Sequence, residues 1–175
     1  MDLSGEAYLF NLSMLAVTFA AVSVFVMLMR QTMGGRLSNY DIYLVTAYVS
    51  QGFVLAFCAI IPSVVADFVH ISATSWGIAS GLAAVILGTS RVYLQRLRTK
   101  TGNHTLPPFL IAVYAFQWVF VALLAANAVI PALRFAGPFK ASPTLSLAVV
   151  MLAFVRRIAS LLGDQPSADW DPQRA

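Results

Sequence analysis

A chain of 175 residues with 59% apolar and only 10% charged residues, and a mean hydropathy of +0.80, is far from the make-up of soluble domains, which are roughly half apolar and a quarter charged. That composition excludes a water-soluble globule. The net charge of +4 and pI of 9.6 do not make it a nucleic-acid binder either. Its basic residues stand at the ends of apolar runs rather than on one solvated face, where they act as orientation signals and as contacts for anionic lipid headgroups on the cytoplasmic side.

The apolar runs are about twenty residues long, enough for a helix to cross roughly 30 Å of hydrocarbon, and they lack the period-two alternation of barrel strands. The first span is predicted over 8–29, preceded by Asp2 and Glu6 and followed by Arg30 and Arg36, the pattern of an uncleaved anchor rather than a signal peptide. After a loop with Gly34-Gly35, and with Ser38 or Asn39 as its cap, the second span covers 42–65. The third covers 75–93 and ends in Arg91, Arg96, Arg98 and Lys100. Pro107-Pro108 opens the fourth, 109–130. Gly137-Pro138 reads as loop, and Ser142-Pro143 as the cap and first position of a fifth span over 142–162 that lets Arg156 and Arg157 snorkel.

Basic residues thus collect on one side, with only Arg134 and Lys140 on the other. The positive-inside rule then predicts an all-α integral membrane protein. Its expected form is a five-helix transmembrane bundle over 1–162, N-out/C-in, multi-pass in a bacterial-type inner (plasma) membrane, with a disordered cytoplasmic tail over 163–175. Sliding the chain so that Arg30 meets Arg96 also brings Tyr48 onto Tyr114 and Gln51 onto Gln117. Two readings stand for this: two repeated helical hairpins plus a fifth helix, or a chance alignment of apolar helices.

The candidate intramembrane polar site is Tyr48, Gln51, Tyr114 and Gln117. Each Tyr-x-x-Gln pair shares a helix face, with the glutamine roughly 15 Å deep. Such groups either tie helices together or line a ligand site or path. Arg91, Arg96 and Arg98 are candidate headgroup or anion contacts; for Arg91, set deeper than the others, the favoured reading is snorkelling to the interface. Gly77, Gly81, Ala84 and Gly88 form small-residue rows for helix packing, within the bundle or between copies.

No Asp, Glu or His lies mid-span, so ion-coupled transport is not expected. His70 and His104 fall on opposite sides in this topology and the single cysteine, Cys58, is read as a core residue, so no haem, metal or other cofactor is expected. Ser80 lacks a histidine base, and no catalytic residues are assigned. The expectation is a non-enzymatic accessory, assembly or scaffold subunit of a membrane complex, with lipid and other membrane subunits or further copies as partners. The alternative is a passive channel or facilitator for a small solute, formed as an oligomer.

Overall fold

The computed structural model describes residues 5–32, 39–69, 71–100 and 108–163. Among the described residues five helices follow one another, α1 (Glu6–Thr32), α2 (Asn39–Phe68), α3 (Ser72–Lys100), α4 (Pro108–Val129) and α5 (Ala136–Gly163), with a 3-10 turn at Pro131–Leu133 before α5. All five are long and apolar enough to cross a membrane. Even the shortest, α4, has 22 residues, which at 1.5 Å each is about 33 Å. The expected Gly34-Gly35 loop, Arg36, Ser38, His70, His104, Pro107 and the acidic tail from Asp164 lie outside the described residues.

In α1 and α3 charges sit where the helix dipoles favour them, with Glu6 in the first turn of α1, Arg30 in its last, and Arg98 and Lys100 in the last turn of α3; Asp67, in the last turn of α2, does not. The interior is apolar but also takes in polar side chains: Gln51, Gln117, Arg91, Asn127 and Ser80 are buried, whereas Phe10 and Phe57 are 63% and 60% exposed. Large apolar side chains facing out and polar ones turned in suit a surrounding solvent that offers no hydrogen bonds.

Consecutive helices pack against each other through short connections, and α5 returns to contact α2 as well as α4. Helices α2, α3, α4 and α5 therefore close a ring, with α1 outside it against α2 and α5. The α1 seam is closed by an edge-to-face cluster in which Phe154 of α5 meets Phe19 of α1 at 5.4 Å and Tyr48 of α2 at 5.3 Å. At the turn between α2 and α3, the Ser75 hydroxyl donates to the carbonyls of Val69 and Ile71.

The fifth helix departs from the expectation. It begins at Ala136 rather than 142, takes in Gly137-Pro138, and carries Pro143 in its interior. Pro138 falls in the first turn, where its missing N–H has no partner to lose. Ser142 does not cap the helix; its hydroxyl donates back to the Pro138 carbonyl at 2.9 Å, and Thr144 does the same to Lys140 at 2.7 Å. The two hydroxyls flank Pro143, and the carbonyls they bond flank that of Phe139, the one a proline at 143 leaves without its helical N–H. Ser and Thr side chains near a proline are one of the ways apolar surroundings tolerate it in a helix. The early start also gives α5 the length that its short apolar core lacked. Pro62 likewise lies inside α2.

Candidate functional site

Two helical turns in from the end of α3 stand Ser90 and Arg91, neighbours in sequence that point about 100° apart because a helix turns by that angle per residue. Ser90 faces α2, where the Gln51 amide donates to its hydroxyl at 3.2 Å. Arg91 faces α4, and its guanidinium donates to Gln117 Oε1. That same oxygen accepts the Ser146 hydroxyl at 2.6 Å, and Gln117 Nε2 donates to the Ser146 carbonyl at 3.1 Å. One amide thus ties α3, α4 and α5 together, near the mid-length of α4 and α5 and about a third of the way in from the end of α3.

Arg91 does not snorkel. It is 5% exposed, turned into the ring rather than out to the interface, because Gln117 offers a buried acceptor within reach. Arg96 and Arg98 behave differently: Arg96 is exposed, and the Arg98 guanidinium lies over the Tyr114 ring, 5.7 Å from its centroid. At the same end, Arg156 stacks over Phe109 at 4.4 Å.

Gln51 and Gln117 are each 2% exposed and meet the same stretch of α3 on adjacent faces. The two tyrosines part company. Tyr48 packs its ring in the aromatic cluster with Phe19 and Phe154, whereas the Tyr114 hydroxyl reaches across the ring to Tyr43 at 2.5 Å. Tyr43, Ser90 and Ser146 were not singled out in the sequence. Their only signal there is a polar atom inside an apolar run, which many residues share.

The Tyr43–Tyr114 pair joins α2 to α4, which face each other diagonally across the bundle. Behind the pair lies a cavity of about 50 Å³ bounded by Tyr48, Gln51, Arg91 and apolar side chains including Leu94, Leu110, Val113 and Val150. Two buried polar atoms of cavity-lining residues have no hydrogen-bond partner among the described residues, Arg91 Nε and Gln51 Oε1. No carboxylate pairs with Arg91 among the described residues. No three His, Cys, Asp or Glu side chains come together in the described part of the chain.

The small-residue rows of α3 face α4 and the turn beyond it. A Cβ on Gly81 would lie 3.6 Å from Ala128 Cβ and one on Gly88 3.7 Å from Val121, which are ordinary contacts; at Gly77 it would meet the Arg134 side chain at 3.1 Å. Ala84 is buried in the same core. A closer approach than at these three glycines lies elsewhere, at Gly52 of α2, where a Cβ would be 2.8 Å from the Ala16 carbonyl oxygen. Ala16-x-x-x-Ala20 and Gly52-x-x-x-Ala56 are the sequence signal for it. A second polar contact, Asn127 Nδ2 to Ser80 Oγ at 2.6 Å, bridges α3 and α4 toward the opposite end.

No known protein family, curated protein or solved structure matches this chain.

Proposed function

We propose that the chain is a multi-pass, non-enzymatic membrane protein, N-terminus outside and C-terminus inside, that serves as an accessory, assembly or scaffold subunit of a bacterial-type inner-membrane complex. The observation that carries this reading is the layering of the bundle. The Gln51–Ser90 and Arg91–Gln117–Ser146 bonds occupy one level and Asn127–Ser80 another, and between them Ala83, Leu87, Phe120 and Leu124 are buried apolar side chains. A conduit for solute needs a continuous polar path. Here the polar groups bond to each other across helix seams, so their effect is cohesion, which is the property a scaffold uses.

Orientation is supported by the charge at the two ends, argued below, and the repeat by the matched burial of Gln51 and Gln117 on α2 and α4. On this reading the hairpins α1–α2 and α3–α4 are parallel repeats and α5 is the extra helix that completes the ring. The facilitator alternative is an oligomer whose polar path includes Gln51 and Gln117.

Gentle detergent purification and liposome flux, run on the same preparation, separate the two. The accessory reading expects a membrane protein that co-purifies in fixed ratio and no solute flux above empty liposomes. Flux that disappears in the Gln51→Leu, Gln117→Leu double variant replaces it with the facilitator.

A further inference from the structure

Three independent features meet behind the tyrosine pair: a cavity of about 50 Å³, a buried guanidinium with a donor left over, and no carboxylate paired with that charge among the described residues. At about 15 Å³ of such space per water, the cavity holds on the order of three waters, or a small organic group of similar bulk. Waters filling the cavity would leave the positive charge of Arg91 unneutralised. Charged side chains at membrane depth pair with an opposite charge or mark a site. The walls add a second requirement, since Leu94, Leu110, Val113 and Val150 offer nothing polar to a fully hydrated ion such as phosphate.

The geometry points to a binding site for a short-chain monocarboxylate, a compact acid with one negative charge and a few aliphatic carbons, entering from the basic end. Its carboxylate lies against the Arg91 guanidinium and its carbons against Leu110 and Val113. Arg98, stacked on Tyr114 outside the cavity, raises the local concentration of anions at the mouth. Tyr43 and Tyr114, hydrogen-bonded to each other, line the same cavity. One interior cation selects for a single charge, and the small volume selects against a lipid tail. The inference goes beyond the accessory reading and is tested on the purified chain alone, so either can fail without the other.

The experiment measures binding of butyrate, butyramide and inorganic phosphate to the full chain in detergent by calorimetry, with bound lipid identified by mass spectrometry. Butyrate is expected to bind saturably, and butyramide, the same shape without charge, about tenfold or more weaker, the factor that one charge-assisted hydrogen bond supplies. Phosphate is expected not to compete. Arg91→Gln should lose binding by a similar factor, and Val113→Phe, which fills the cavity without touching the Arg91–Gln117 bond, should abolish it. Helical circular dichroism and a single elution peak establish folding for each variant; if Arg91→Gln does not fold, Val113→Phe decides. The inference is overturned by absence of butyrate binding in the millimolar range (water alone fills the cavity), by equal binding of butyramide, by butyrate binding unchanged in Val113→Phe, or by a co-purified acidic lipid that Val113→Phe releases.

Discussion

A Cβ at Gly52 would lie 2.8 Å from both the Ala16 carbonyl oxygen and the Ala20 methyl, because α1 and α2 cross there with only small residues between their backbones. The obstacle is main chain on one side and a short, stiff side chain on the other, so relief requires the two helices to move apart. Gly52→Ala is therefore expected to cost about 1–3 kcal/mol, the usual penalty for overfilling a packed seam. Gly88→Ala is the matched comparison. Its methyl would make an ordinary contact 3.7 Å from Val121, and alanine's higher helix propensity favours it by up to about 1 kcal/mol. Thermal unfolding in detergent should place Gly52→Ala below the parent chain and Gly88→Ala at or above it. Equal midpoints for the two would show that the α1–α2 seam yields.

Among the helices, α3 is the one that both glutamines hold, but they hold it unequally. Gln117 engages α3 through the Arg91 guanidinium and α5 through two bonds to Ser146, whereas Gln51 makes one bond at 3.2 Å and leaves its oxygen unpaired. Gln117→Leu strands a buried guanidinium and should cost about 2–3 kcal/mol, with more possible for a charge. Gln51→Leu should cost below about 1 kcal/mol, near the average for membrane hydrogen bonds. Denaturant titration of the helical signal measures both, and equal losses would refute the Arg91–Gln117 tie. The five helices were legible because apolar length and terminal charge are local properties of the chain. The start of α5 was not, since Gly137-Pro138 and Ser142-Pro143 are breakers in water but Pro138 is harmless in a first turn and Pro143 lies between two hydroxyl back-bonds. The inward aim of both amides was legible from their cost in lipid. The burial of Arg91 and the choice of Tyr43 over Tyr48 were not, because each depends on how α2 and α4 are phased across the ring, and no residue spacing within one helix encodes that.

For the molecule as a whole, the two ends differ in charge. Arg30, Arg96, Arg98, Lys100, Arg156 and Arg157 gather where α1, α3 and α5 finish, and Arg134 and Lys140 stand at the other end. Arg91 is withdrawn from this comparison, since it is buried in the ring, yet the imbalance survives without it. An arginine or lysine at the centre of a spanning helix costs roughly 2.5–3.5 kcal/mol, and cations retained beside the ends of spans set orientation. Two sites argue for the fifth crossing in particular. Arg156 is anchored over Phe109 at the start of α4, so the end of α5 lies level with the end of α3, and Tyr8 of α1 bonds Thr144 near the start of α5 at 2.6 Å, which fixes the opposite end. Reporters fused after Gly35, Asn103 and Ala175 should accordingly read cytoplasmic, and one fused after Phe135, ahead of α5, should read the opposite side. Arg156→Ala with Arg157→Ala should leave that pattern unchanged, because Arg30, Arg96, Arg98 and Lys100 still hold their ends inside. A reporter after Ala175 that reads outside would remove α5 from the membrane and open the α2–α3–α4–α5 ring, and the buried Arg91–Gln117–Ser146 tie would then have no apolar surroundings to explain it.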